Sequence, residues 1–137
     1  MARARILVAD DHPDMRRQVV SILEPEFEIV ATVANGQEAI DGAAACEPHL
    51  VVLDISMPVL NGFDAAARIA KLPEPPKIVF LSVHEDPAYF EAAQSAGATA
   101  YVVKRFLASE LLPTVRRLLQ NHAIAVAGAA ALHSAAS

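Results

Sequence analysis

The sequence predicts an α/β fold: a single doubly wound sheet of five parallel strands flanked by five helices. Three observations predict it. Short apolar runs rich in β-branched residues recur along the chain, the segments between them have helical spacing, and four runs end directly on polar side chains. Such runs mark strands buried on both faces, as in parallel sheets, and strand–helix alternation marks an open α/β layer. At 137 residues, with 54% apolar and 20% charged side chains, the chain suits one well-buried domain better than two.

The elements follow in order. Ile6-Leu7-Val8-Ala9 is the first strand, ending on Asp10–Asp11. Pro13 suits a first helical position, and Met15, Val19, Ile22 and Leu23 share one face of a helix reaching about Leu23. Phe27 to Val33 is interrupted by Glu28 and Thr32 and reads as an edge strand. Asn35 with Glu38 resembles a capping box for the second helix. Leu50-Val51-Val52-Leu53 is the third strand and ends on Asp54. Asn61–Gly62 punctuates the loop before a helix over Phe63–Lys71, which Pro73, Pro75 and Pro76 stop.

Ile78-Val79-Phe80-Leu81 leads to Ser82, and Asp86–Pro87 predicts an N-cap and first turn for the helix that Gly97 closes. Ala100-Tyr101-Val102-Val103 leads to Lys104. The last helix is expected to begin near Ser109, with a local distortion at Pro113 close to its first turn. Residues 1–122 form the expected domain. Residues 123–137 are an alanine-rich tail or helix extension, with Val115, Leu118, Leu119, His122 and Val126 continuing one stripe until Gly128 weakens it.

Composition excludes several function classes. A net charge of −5 gives no electrostatic reason for direct nucleic-acid binding, and the pairs Arg16–Arg17 and Arg116–Arg117 read as solvated helix faces. One cysteine, Cys46, rules out a disulfide framework and a cysteine zinc site. The apolar run before Asp10 is too short for a signal peptide, and Ala123–Leu132 is too short to span a membrane. A cytoplasmic protein without membrane contact is expected.

In open α/β sheets, ligands bind beyond the carboxyl ends of the strands. Here those ends carry Asp10, Asp11 and Asp54, the Ser82 hydroxyl and the Lys104 ammonium. Two like charges about 4 Å apart repel by about 4 kcal/mol near a protein surface, so clustered carboxylates call for a cation. All-oxygen ligands favour Mg2+ (or Mn2+), with Asp11 and Asp54 as direct ligands and Asp10 acting through water. A divalent ion, a lysine and a hydroxyl around a carboxylate make a cradle for a phosphoryl group, and the carboxylate can itself be the nucleophile. Asp54, on a buried middle strand, is the expected acceptor. Singly, each residue has an ordinary explanation, the Asp pair as a helix cap above all. Their coincidence at four strand ends decides against it.

At this point residues 4–122 resemble the response-regulator receiver family. The resemblance rests on ILVADDHP, LVVLDISMPVLNGFDA, IVFLSVHED and GATAYVVK in that order, with the Asp54–Gly62 stretch the most specific. It implies the flavodoxin-like strand order 2-1-3-4-5 and phosphotransfer to Asp54 from a sensor histidine kinase or phosphotransfer protein. It also implies a metal held by Asp11, Asp54 and the Ser56 backbone carbonyl with help from Asp10. Ser82 and Lys104 would bind the phosphoryl oxygens, and Tyr101 would be an aromatic switch. Two departures stand out. Arg105 follows Lys104 where many receivers have proline, and Val83 is bulkier than usual beside the phosphorylation site, where it could restrict phosphoryl access or the inward motion of Ser82.

Of the five histidines, His12 and His84 are expected near the pocket rim, while His49, His122 and His133 are scattered. No pair has zinc-ligand helical spacing, so histidine metal binding is not expected. His84 and Ser56 read instead as residues tuning water access. Three function classes follow: a signalling switch without catalytic output, able to homodimerise; the receiver half of a transcriptional regulator whose DNA-binding domain is absent from this chain, which Asp-Asp-His-Pro favours; and a magnesium-dependent aspartyl phosphatase. The last usually needs an acidic residue two positions after the nucleophile, where Ser56 stands, so a non-enzyme is expected.

Overall fold

A computed structural model of the chain describes residues 3–120. The elements run β1 (Arg5–Ala9), α1 (Pro13–Leu23), β2 (Glu28–Val33), α2 (Gly36–Cys46), β3 (Leu50–Asp54) and α3 (Gly62–Ile69). They continue with β4 (Lys77–Ser82), α4 (Pro87–Ser95), β5 (Ala100–Val103), a 3₁₀ turn (Lys104–Phe106) and α5 (Leu107–Leu118). Every strand pairing is parallel and the sheet order is β2-β1-β3-β4-β5, the doubly wound order expected. The winding reverses between β1 and β3, and a crevice opens beyond their carboxyl ends at such a reversal.

Side-chain alternation along the strands splits the core into two layers. Ile6, Val8, Leu50, Val52, Val79, Leu81 and Val102 face α1 and α5, meeting Val19, Leu23, Leu111 and Val115. Leu7, Ala9, Val51, Leu53, Ile78 and Phe80 face the other way, onto Ala39, Ala43, Ala65, Ala66, Ile69 and Ala93 of α2, α3 and α4. Each buried Leu, Ile, Val or Phe contributes about 1.5–3 kcal/mol, so both faces of β1, β3 and β4 are held firmly. β2 is an edge strand as expected, with Glu28 and Thr32 exposed.

The helix ends agree with the sequence in outline and differ in detail. Asn35 caps α2 by accepting from the Glu38 N–H at 2.8 Å, while the Glu38 carboxylate reaches back to the Ala34 N–H at 3.0 Å. Asn61 caps α3 in the same way, at 2.9 Å from the Asp64 N–H. Asp86 occupies the cap position of α4 but makes no side-chain capping bond; its carbonyl accepts the Tyr89 N–H at 3.0 Å instead. α3 ends at Ile69, short of the expected Lys71 and before the prolines. Gly97 closes α4 with φ +94, which only glycine adopts without strain.

The expected start of the last helix near Ser109 is corrected: the 3₁₀ turn leads straight into α5 at Leu107. Pro113 therefore lies well inside α5, not near its first turn. Its ring forgoes a helix hydrogen bond at a cost of about 3 kcal/mol, which burial of Leu107, Leu111, Thr114 and Val115 on the opposite face offsets. The tail at 123–137, including the stripe beyond Leu119, lies outside the described residues. Among the described residues no helix is long and apolar enough to cross a membrane.

Candidate functional site

The crevice at the β1–β3 reversal collects the predicted residues. Asp54 is the last residue of β3 and Ser82 the last of β4, Asp10 and Asp11 follow β1, and Lys104 follows β5. Asp10, Asp54 and Ser82 are buried, whereas Asp11 is half-buried and Ser56 exposed. The Lys104 ammonium lies 3.2 Å from Asp10 Oδ2 and 3.3 Å from Asp54 Oδ2. These are ion-pair distances without hydrogen-bond direction, so Asp10 Oδ2, Asp54 Oδ2 and Asp11 Oδ1 remain buried acceptors with no hydrogen-bond partner. Lone acceptors of that kind cost folding free energy unless something compensates them.

Burial, together with the neighbouring Asp10 charge, pushes the Asp54 carboxyl up to about 6, against the opposing pull of Lys104 and the Ser56 N–H. That N–H donates to Asp54 Oδ1 at 3.3 Å. Three carboxylates and one ammonium leave the cluster short of two positive charges, and one ligand atom each from Asp10, Asp11, His12 and Asp54 lies within 4.8 Å of the others. Buried oxygens without hydrogen-bond partners, a negative charge that Lys104 only partly offsets and an oxygen-rich donor set fit a divalent cation.

The motif glycine has a steric reason. A Cβ at Gly62 would drive into the Asp54 carbonyl oxygen and lie 2.7 Å from Ile55 Cα, and the Gly62 N–H donates to the Ile55 carbonyl at 2.7 Å. The start of α3 is thus pressed onto the backbone that carries Asp54. Between them the loop strains to return: Val59 sits at φ +68, rare for a β-branched residue, with its side chain in solvent.

On the β4 side, Ser82 Oγ accepts the His84 N–H at 3.0 Å, and Tyr101 donates its hydroxyl to the His84 carbonyl at 2.9 Å. Burial raises the Tyr101 phenol above its ordinary value, opposed by the Ser82 hydroxyl. The His84 ring stacks on Tyr89 with centroids 4.0 Å apart, and Phe90 meets the Tyr101 ring edge-on at 4.6 Å. Ser82, His84 and Tyr101 therefore form one connected chain from the acidic crevice to α4. Val83 is 67% exposed at the mouth of a groove of about 400 Å³, which His12, Met15, Gln18 and Lys104 also line.

Two residues beside the crevice were undervalued in sequence. His12, expected at the rim, turns its Nδ1 to within 3.2 Å of Asp10 Oδ1 and 3.1 Å of Asp11 Oδ1. Arg16, read as a solvated side chain, donates to the Asp10 backbone carbonyl at 2.7 Å. Its signal was available: Arg16 lies one helical turn after His12, on the same side of α1. Arg105, in place of proline, pairs with Glu85 at 2.9 Å and covers the Phe106 ring at 4.6 Å. Its neighbouring peptide bonds are trans, as are all others in the described residues.

Residues 6–116 match the family model of the response regulator receiver domain. The chain is 39% identical over 112 residues to the transcriptional regulatory protein PdtaR of Mycobacterium tuberculosis, covering 81% of this chain and 54% of that protein. It is 32% identical over 123 residues to the transcriptional regulatory protein DegU of Brevibacillus brevis, covering 88% and 52% respectively. It thus spans about half the length of these relatives. Among solved structures, the response regulator domain of Thermotoga maritima CheB superposes with a TM-score of 0.79 at 29% identity, covering 86% of this chain and 97% of that one. The chain belongs to the response regulator receiver domain family of two-component signalling.

Proposed function

We propose that this chain is a cytoplasmic phosphorylation-dependent switch that accepts a phosphoryl group on Asp54 from a sensor histidine kinase or phosphotransfer protein. One observation carries the reading: the buried Asp54 Oδ2 has no hydrogen-bond partner and faces Lys104 at 3.3 Å in a cluster short of positive charge. An Asp54 carboxylate oxygen attacks phosphorus, forming an acyl phosphate as the donor's P–N bond breaks. The leaving imidazole carries off the bond's electron pair and is reprotonated from solvent. Catalysis here is positioning and charge neutralisation, with little other chemistry for the protein to do.

Lys104 is placed to exchange its carboxylate contact for a phosphoryl oxygen. Ser82, whose oxygen already accepts from His84, keeps its hydroxyl proton to donate to another. Asp11, Asp54 and the Ser56 carbonyl, with Asp10 through water, would hold Mg2+ (or Mn2+), which when bound neutralises charge on the phosphoryl oxygens. Moving Ser82 inward pulls on His84 and so on Tyr101, turning a local charge change into a shift of the α4 face. Val83, His84 and Ser56 tune access of water and donor. The domain at 1–122 acts as acceptor and interaction module, with self-phosphorylation and dephosphorylation as its own chemistry.

Intact-mass measurement after incubation with Mg2+ and acetyl phosphate tests this. Wild type is expected to gain one phosphoryl mass and Asp54→Asn none; an unmodified wild type under conditions that preserve acyl phosphates sinks the proposal. A second reading, favoured by the names of PdtaR and DegU, makes the same switch the receiver part of a transcriptional regulator. The net charge of −5 argues that DNA is not gripped by this piece itself.

A further inference from the structure

The adjacent arginines of α1 sit differently. Arg16 is half-buried and donates to the Asp10 backbone carbonyl at 2.7 Å. Arg17 pairs with Asp14 in solvent, on side chains that are 71% and 88% exposed. Position explains the reach of Arg16. Helical side chains tilt toward the N-terminus of their helix, so a residue in the first turns of α1 extends back toward the end of β1. A cation at that end of a helix opposes the helix dipole, so helix stability does not account for an arginine there.

The carbonyl it meets has left the sheet. Both pairings of β1 end at Ala9, which faces Val33 on one side and Leu53 on the other. The Asp10 N–H still reaches the Val33 carbonyl at 3.1 Å, and Asp10 Oδ1 accepts the His12 N–H at 2.9 Å. Neither bond holds the peptide plane between Asp10 and Asp11 directly, whereas the Arg16 bond does. A peptide is planar, so holding the Asp10 carbonyl also sets the direction in which the Asp11 N–H and Cα leave it.

We propose that Arg16 is a positioning residue, which by holding the Asp10–Asp11 peptide presets the Asp11 carboxylate for the divalent cation. The inference rests on the reading that the crevice holds Mg2+ and adds a residue that touches neither the ion nor the phosphoryl group. A ligand that must be ordered as the ion arrives weakens binding, and loss of a group that orients a ligand costs about 10–100-fold in metal affinity. The guanidinium suits the task because it stays ionised and presents its donors in a rigid plane. The sign of the effect is diagnostic. Loss of a nearby positive charge by itself strengthens the binding of a cation, so weakened binding isolates positioning from electrostatics. The competing explanation is that the bond only steadies α1 against the sheet.

The test titrates Mg2+ calorimetrically into the full chain as wild type, Arg16→Met, Arg16→Lys and Arg17→Met, with no phosphoryl donor present. Affinity is expected to fall about tenfold in Arg16→Met, to return to within about threefold of wild type in Arg16→Lys, and to stay unchanged in Arg17→Met. With acetyl phosphate added, the Mg2+ concentration for half-maximal phosphorylation should rise by the same factor in Arg16→Met, while the rate at saturating Mg2+ holds within about threefold. A merely structural bond lowers the thermal midpoint and leaves the affinity of the folded protein alone. Affinity within about twofold of wild type, or higher, therefore overturns the assignment, as does a wild type that binds no Mg2+. Should Arg16→Met not fold, Arg16→Gln, which also loses the charge and the reach, is read against the same limits. The two readings fail separately. Arg16-dependent Mg2+ binding without phosphoryl gain removes the switch and leaves this role, whereas phosphoryl gain with an Arg16-independent affinity does the reverse.

Discussion

The Tyr101 hydroxyl donates a 2.9 Å hydrogen bond to the backbone carbonyl of His84, two residues beyond Ser82. This joins the last strand to the β4–α4 loop at the point where the phosphoryl group is proposed to act. Removing the hydroxyl in Tyr101→Phe is expected to cost about 1 kcal/mol, a typical net hydrogen-bond contribution. Urea denaturation measures it. The same variant should leave Asp54 phosphorylation by acetyl phosphate intact while changing the amide spectrum of residues 83–90. Unchanged α4 resonances would detach Tyr101 from the switch.

Burial and Asp10 raise Asp54 to about 6, above its unfolded carboxylate value. The sign follows from proton counting: between about pH 4 and about pH 6 the folded state binds the extra proton, so stability falls as pH rises through that window. Below it both states are protonated and the effect vanishes. With chelator present, Asp54→Asn is therefore expected to be more stable than wild type near pH 7, by up to about 3 kcal/mol. No such gain is expected near pH 4, and an equal gain at both values would contradict the assignment. Mg2+ should restore much of the wild-type deficit by binding only the folded state, and its affinity should weaken below about pH 6.

Gly62 has no room for a side chain, because its neighbours are the backbone of Asp54 and Ile55 and cannot rotate away. Gly62→Ala is expected to destabilise the domain by about 1–3 kcal/mol. It should also slow phosphorylation of the folded fraction about tenfold or more, since small displacements of a reacting group are costly. Thermal unfolding and phosphorylation kinetics separate the two effects; wild-type values in both would show the contact to be yielding.

Val83 stands 67% exposed at the mouth of the groove beside Lys104, so its truncation removes a shield without opening the core. Val83→Ala should shift stability by no more than about 0.5 kcal/mol. It should speed both phosphorylation by a small donor and loss of the phosphoryl group. Unchanged rates would show that Val83 does not gate the site.

The strands, their parallel pairing and the reactive strand ends were legible because burial on both faces leaves continuous apolar runs, and the polar residues that stop them are few. Asp10, Asp11, Asp54, Ser82 and Lys104 could be placed together from that pattern alone, and family resemblance supplied the strand order and the roles. Helix ends were less legible. Pro113 suggests a position close to the first turn of a helix starting near Ser109, but burial of Leu107 and Leu111 places the start at Leu107 and leaves the proline inside the helix. The unpartnered oxygens, the Ser82–His84–Tyr101 chain and the pressure of Gly62 on Asp54 are distances between segments remote in sequence, and packing alone decides those. His12 shows the division most clearly. Its identity and the proline after it are local facts, whereas the meeting of its Nδ1 with carboxylates from two strands exists only once β1 and β3 lie side by side.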